Sequence, residues 1–327
     1  MKKRTWIACI VPAALALLCT LLPQRMLSQR VALPYQAFMG SLTAHTNVPV
    51  GEVIYLALGA LVLLLPLRAG FLCLRDRSWL PARRLIGQAL CALCVGMLAI
   101  TLLWSPIART KTLPAPLPSR LPRALYDLCD HLMAQAEALS GSMDDSALTS
   151  DQLIDAAQDA MAALTGRAPV VKAARYPELL GKLGLAGVCF PLTGEAIVRG
   201  DLARVLLPFV AAHEGAHQLG YGSEAEANLI AYRALQLGKQ PLRYAGAMFA
   251  LYYAMDALKD ADPAAYAERT SALSQRVLSD FDRLIRFQRA ATGLRAGVLD
   301  AFLRLNGQSG RTAYGLMIDY LLEADAP

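Results

Sequence analysis

Ala211-Ala212-His213-Glu214-Gly215-Ala216-His217-Gln218-Leu219-Gly220 is the stretch from which the rest of the chain can be read, and Ser223-Glu224-Ala225-Glu226-Ala227-Asn228 follows it closely. Two of the chain's 4 histidines lie in it. Residues four apart share one face of a helix, about one turn from each other, so His213 and His217 can aim two imidazole nitrogens at one point. Leu202, Val205, Leu206, Phe209 and Val210 run into the stretch at helical spacing and Gly220 supplies a stop, which predicts a helix here. Polar groups on the buried face of a helix need partners, and a metal ion satisfies both imidazole and carboxylate. Gly215 is a poor helix former, costing roughly 1 kcal/mol against Ala, so its presence predicts close approach of a neighbouring segment.

The order His213-Glu214-x-x-His217 is the HExxH arrangement of metallopeptidases. Its two histidines would ligate one zinc ion per chain. Glu214, beside the first, is placed to take a proton from water rather than to ligate. A third ligand is expected from the acids after the turn Gly220-Tyr221-Gly222. Ser223-x-x-Glu226 reads as a capping box, which gives Glu226 a structural task and leaves Glu224 free in the first helical turn. Glu224 is therefore the expected ligand and Glu226 the fallback. Asn228, four residues after Glu224, could hydrogen-bond a ligand from behind. The competing reading of the motif is a pair of core histidines satisfied by other groups.

Over its 327 residues the chain is 55% hydrophobic, with a net charge of +6 and a mean hydropathy of +0.37. The apolar excess is concentrated in three runs, Thr5–Pro23, Val53–Leu74 and Leu85–Trp104, each near the ~20 residues that cross a bilayer as a helix. Lys2-Lys3-Arg4 precede the first run, so a cleaved signal peptide competes with a retained anchor. The poor small-residue cleavage pattern favours the anchor. Arg75, Arg77, Arg83 and Arg84 lie between the second and third runs, whereas the longer loop after the first carries only Arg25 and Arg30. This bias predicts a cytoplasmic amino terminus and an extracytoplasmic domain after Trp104. The basic excess sits where topology uses it, and no nucleic-acid partner is expected; the expected partners are the lipid bilayer and a peptide or protein substrate.

The expected organisation is thus a membrane anchor over residues 1–105, a stiff linker over 106–122 marked by Pro106, Pro114, Pro116, Pro118 and Pro122, and a soluble domain over 123–327. The fold class is mainly α with a small β element. Helices are expected over Leu121–Leu139, from the capping box Thr149-x-x-Gln152 to about Leu164, from Pro241 through Met255, from about Pro263 to Gln288, over Val298–Leu305 and over Tyr314–Leu322. Residues 187–198 read as two short extended segments around a turn. Such a strand could pair with an extended substrate. Cys129 and Cys189, the two cysteines outside the spans, could form a disulfide in an oxidising compartment, although two cysteines carry no pattern. His131 reads as an ordinary surface or core residue. Tyr221, Tyr232 and Tyr314 are conceivable oxyanion donors.

Phe190-Pro191-Leu192-Thr193-Gly194-Glu195-Ala196, the block from His213 to Asn228, and the ending Val298-Leu299-Asp300-Ala301-Phe302-Leu303-Arg304-Leu305-Asn306-Gly307-Gln308 with Tyr314-Gly315 together resemble a family of bacterial membrane proteins known as domain of unknown function 3810. The resemblance covers most of the chain and implies three spans and a zincin-like helix. Glu224-x-x-Ala227-Asn228 also resembles the ExxA(D/N) helix of gluzincin peptidases, which implies Glu224 as third ligand. In many gluzincins that glutamate lies much further along the chain; here a short turn separates it from His217. The spacing is closer to that of metzincins, but Ser223 occupies their ligand position. These readings lead to a membrane-anchored zinc metallopeptidase acting on extracytoplasmic or cell-envelope peptides at the bacterial cytoplasmic membrane. The alternative, of another class, is an inactive zinc-binding zincin scaffold that binds an envelope or membrane partner. An intramembrane protease is disfavoured because polar, acidic sequence follows the motif.

Overall fold

A computed structural model describes residues 3–114, 122–289, 294–309 and 314–324. The chain divides into two compact units, Met1–Thr110 with Phe190–Glu195, and Lys111–Cys189 with Ala196–Pro327.

The first unit contains α1 (Lys3–Leu21), α2 (Gln24–Leu27), a π-helical turn (Ser28–Ala32), α3 (Leu33–Thr43), α4 (Val50–Asp76), α5 (Leu80–Leu103) and α6 (Ser105–Arg109). Helices α4 and α5 are 27 and 24 residues long, and each contains an 18-residue stretch with a mean hydropathy of 2.2. At 1.5 Å per residue they reach about 36–40 Å, enough to cross the ~30 Å hydrocarbon core. Their leucines, among them Leu63, Leu67 and Leu93, are exposed. Among the described residues two helices are thus long and apolar enough to span, or up to three if a bent pair counts as one, against the three expected. The part of the first run from Ile10 to Leu21 joins Gln24–Thr43 through a 113° bend, and this is the bent pair. The break falls at Pro23, whose extended ψ of 110° ends the helical path. What was expected as a loop after it is helical.

Phe190–Glu195 belongs to this unit through specific bonds. The Glu195 carboxylate accepts hydrogen bonds from the backbone N–H groups of Val50 (3.0 Å) and Gly51 (2.7 Å), two of the orphan donors at the start of α4. The Tyr35 hydroxyl donates to the Leu192 carbonyl (3.0 Å) and the Thr43 hydroxyl to that of Thr193 (3.3 Å). Gly194 has φ +63°, and a Cβ there would stand 2.2 Å from the Gln36 carbonyl oxygen. The start of the expected linker is helical. Pro106 opens α6, with Ile107 and Ala108 buried, because proline fits the first turn of a helix. Pro116 and Pro118 lie outside the described residues.

The second unit contains α7 (Pro122–Leu139), α8 (Ser142–Asp145), α9 (Ser150–Thr165), β1 (Val171–Ala173), α10 (Pro177–Leu183), β2 (Gly187–Phe190), β3 (Glu195–Val198), α11 (Leu207–Leu219), α12 (Glu224–Gln236), α13 (Gln240–Ala261), α14 (Pro263–Ala272), α15 (Gln275–Arg289), α16 (Leu294–Leu305) and α17 (Met317–Ala324). It is mainly helical. Helix α11 packs on α9, α12 and α13, and α13 packs on α7. Leu132, Met161, Leu207, Leu229 and Phe249 fill the space between them. The three strands lie in the order β1-β3-β2, with β1 parallel to β3 and Val171 opposite Ala196. This leaves β2 at the edge.

Two expectations need correction here, and the open question of a disulfide is answered. The motif helix starts at Leu207 and not near Leu202, because Pro208 lacks the N–H that a helix interior requires and is tolerated only in the first turn. The long helix expected over 263–288 is two. Leu273 is extended (ψ 138°) and the Ser274 hydroxyl accepts from the Val277 N–H (3.4 Å), starting α15. Cys129 and Cys189 are free and buried, not bridged; burial pushes the Cys129 thiol up to about 12.

Candidate metal centre

Helix α11 ends at Gly220, whose φ of 106° suits a residue without Cβ. The Gly220 and Tyr221 N–H groups donate back to the His217 and Ala216 carbonyls (3.1 and 3.0 Å). The chain then turns, and Ser223 caps α12 by accepting from the Glu226 N–H (3.2 Å). Glu224 therefore sits in the first turn of α12, beside the histidine face of α11. Its Oε2 lies 3.2 Å from His213 Nε2 and 3.5 Å from His217 Nε2. His213, His217 and Glu224 form a buried group whose potential ligand atoms all lie within 4.8 Å of one another, and it could hold a metal ion.

The other ring nitrogens are already engaged. His213 Nδ1 is 2.7 Å from Asn228 Oδ1 and His217 Nδ1 is 2.8 Å from the Tyr221 carbonyl. Both partners are acceptors, so each Nδ1 carries a hydrogen and each Nε2 is the nitrogen turned towards Glu224. Asn228 is itself held, its amide donating to the Tyr314 carbonyl (2.9 Å). Glu224 Oε2 is buried and has no hydrogen-bond partner beyond its contacts with the two Nε2 atoms. A buried carboxylate needs a positive partner, which the imidazole of His217 supplies in the free protein and a cation between Oε2 and the two Nε2 atoms would supply in its place.

Glu226 is turned elsewhere. Its fully buried carboxylate accepts from Thr112 N–H (2.9 Å), Thr112 Oγ1 (3.0 Å) and Leu113 N–H (2.8 Å). Its structural task is thus to hold the segment entering this unit, not to close a reciprocal capping box.

The electrostatics separate the two remaining acids. Burial raises the Glu224 carboxyl, but the adjacent His217 and His213 overcome this and hold it well below the usual carboxylate range. Burial likewise lowers His217, yet Glu224 outweighs it and brings the imidazole up to about 9. Glu214 goes the other way. Burial is the largest influence and raises it, against the two imidazoles and a hydrogen bond from the Cys189 N–H. Tyr314 is raised by burial and by the neighbouring Glu224 charge, so its hydroxyl keeps its proton.

His213, Glu214, Asn228 and Tyr314 line a cleft of about 620 Å³, with Gly187 of the edge strand on one side and Phe249, Tyr252 and Tyr253 on another. Gly187 is pressed against the acid, since a Cβ there would stand 2.6 Å from Glu214 Cγ. Gly215 is crowded by Pro169, whose Cγ would lie 2.8 Å from an added Cβ. Of the three tyrosines singled out from sequence, Tyr314 lines the cleft, whereas Tyr221 contributes its carbonyl. Several contributors carried no local signal. Gln308 accepts from the Glu224 N–H (3.1 Å) and donates to the Gly222 carbonyl (3.2 Å), pinning the turn between α11 and α12 from more than eighty residues away. Gln288 donates to the Tyr253 hydroxyl (3.1 Å) at the cleft wall.

Comparison with known proteins finds a match over residues 28–322 to the family model described as Protein of unknown function (DUF3810). No curated protein and no solved structure matches.

Proposed function

We propose, for a chain that belongs to the DUF3810 family of proteins of unknown function, a membrane-anchored zinc-dependent metallopeptidase that hydrolyses peptide bonds in extracytoplasmic or cell-envelope substrates of a bacterium. The observation that carries this reading is the buried group of His213, His217 and Glu224, with Glu224 Oε2 facing two Nε2 atoms whose rings are oriented from behind. Two imidazoles and one carboxylate form a donor set suited to zinc.

Bound by His213, His217 and Glu224, zinc would supply Lewis acidity, making water easier to deprotonate and polarising a peptide carbonyl. The rest of the chemistry falls to the chain. Glu214 opens onto the same cleft and, with its affinity for protons raised by burial, takes a proton from the attacking water and passes it to the leaving amine. Tyr314, protonated and beside the site, is placed to donate to a developing oxyanion. Arg75, Arg77, Arg83 and Arg84 flank the short α4–α5 connection, which supports a cytoplasmic side for that connection and an extracytoplasmic side for the cleft.

The test uses the full chain in detergent. Elemental mass spectrometry should find one zinc per chain in the wild type and little in His217→Ala. Glu214→Gln should keep the zinc but lose turnover of a peptide library by about a hundredfold or more. A folded wild type without metal overturns the reading. Metal without turnover in any peptide pool replaces it by the zinc-binding scaffold.

A further inference from the structure

The segment Gln24–Thr43 is built inside out. Its buried residues are mostly small or polar: Ser28, Ala32, Gln36, Gly40 and Thr43 recur at roughly one-turn intervals, and Gln36 is only 1% exposed. Its large apolar side chains point away from the protein, with Phe38 61% and Leu42 54% exposed, and Met26 and Val31 also outside. In water this arrangement is the reverse of a stable amphipathic helix, which buries its apolar face. In a membrane it is the expected one, because small and polar residues pack helix against helix while apolar ones meet acyl chains.

Position along the spans narrows the environment. The Gln36 amide donates to the Leu103 carbonyl (2.7 Å), at the last residue of α5. The segment also packs on α6, just beyond that end. It therefore lies level with the end of a hydrocarbon-length helix and turns through 113° from Ile10–Leu21. Arg25 and Arg30 are exposed near its start, and from Val31 to Gly51 the chain carries no acidic or basic side chain other than His45. A bilayer boundary offers phosphates for the two arginines and acyl chains for Phe38 and Leu42 at one depth. The outward apolar surface also continues that of α4 and α5, whose leucines are exposed in the same way.

We infer that Gln24–Thr43 is an interfacial helix lying near the membrane plane, with Phe38 and Leu42 inserted among phospholipid acyl chains and Arg25 and Arg30 at the phosphates. This rests on α4 and α5 being membrane spans, and it gives the segment joining the first apolar run to α4 a lipid-binding role.

The experiment places the photoreactive residue p-benzoylphenylalanine at Phe38, at Leu42 and, as a control, at Leu64 in α4. Each full-length chain is reconstituted into vesicles of phosphatidylethanolamine and phosphatidylglycerol, irradiated and weighed by intact mass spectrometry. One phospholipid mass added at all three positions is the expected result. Adducts at position 64 alone overturn the interfacial helix while leaving the membrane anchor standing. A cross-linked dimer through positions 38 or 42 also overturns it, because a second copy then covers the face. Absence of adducts at all three positions overturns the anchor itself.

Discussion

Glu214 and Glu224 are two buried carboxylates that their neighbours push in opposite directions, one protonating more readily and one held ionised. Such a split is how one pocket separates a proton carrier from a charge that stays fixed. It also sets how metal binding depends on pH. In metal-free protein His217 keeps its proton up to about 9, and a metal ion must displace that proton to reach Nε2. Affinity should therefore rise about tenfold per pH unit as pH climbs towards that value and level off above it. Calorimetry in buffers of different ionisation enthalpy should detect the released proton; a pH-independent affinity would contradict the charge state. Gly187 is the other decisive residue. A Cβ at 2.6 Å from Glu214 Cγ and 2.9 Å from the Ile197 carbonyl oxygen must displace one of them. Gly187→Ala should keep its metal, lose about 1–3 kcal/mol of stability and slow turnover about a hundredfold by moving the base. Wild-type turnover in that variant would show that Glu214 is not positioned by the edge strand.

At the scale of the element, α12 presents two acids, two residues apart, to different surroundings. Glu224 faces α11 and Glu226 faces Thr112 and Leu113, because positions two apart on a helix do not share a face. Glu224→Ala should abolish metal binding in a folded protein. Glu226→Ala should retain the metal yet lose about 1 kcal/mol or more, since it removes the acceptor of two part-buried backbone donors. Metal analysis beside thermal melting of the two variants decides the assignment, and loss of metal from Glu226→Ala with Glu224→Ala unaffected would reverse it. The capping signal of Ser223 was legible because the N-cap bond is local. The destination of the Glu226 carboxylate was not, because its donors come from residues more than a hundred positions earlier. The same limit explains α11: helical spacing suggested a start near Leu202, while the local chemistry of Pro208 imposes the later one.

For the molecule as a whole, the composition step after Trp104 marks where the long apolar helices end, but it does not coincide with the boundary of the compact units. Phe190–Glu195 sits in the middle of the soluble sequence and yet clusters with the N-terminal unit, Glu195 meeting the first N–H groups of α4. A fragment starting at Lys111 removes those partners. It should be cleaved within residues 190–195 at lower protease concentrations than the full chain in detergent, and equal resistance would show that the turn is held by its own strands. In the full chain, Glu195→Ala should lower stability by about 1–3 kcal/mol through the unsatisfied start of α4, without changing metal content.

By itself the sequence determined what depends on short-range periodicity: two imidazoles on one face of a helix, a glycine that ends it, apolar runs long enough for a bilayer, and a mainly helical domain. These follow from backbone geometry and side-chain transfer between water and hydrocarbon, both of which act over a few residues. Only the tertiary structure decided where the Glu226 carboxylate goes, that Gln308 pins the turn before α12, and that Gln24–Thr43 buries its polar side. Each of those outcomes depends on which donor or acceptor a distant segment brings within 3 Å or so, and a hydrogen-bonding group carries no mark in the sequence of the partner it will meet.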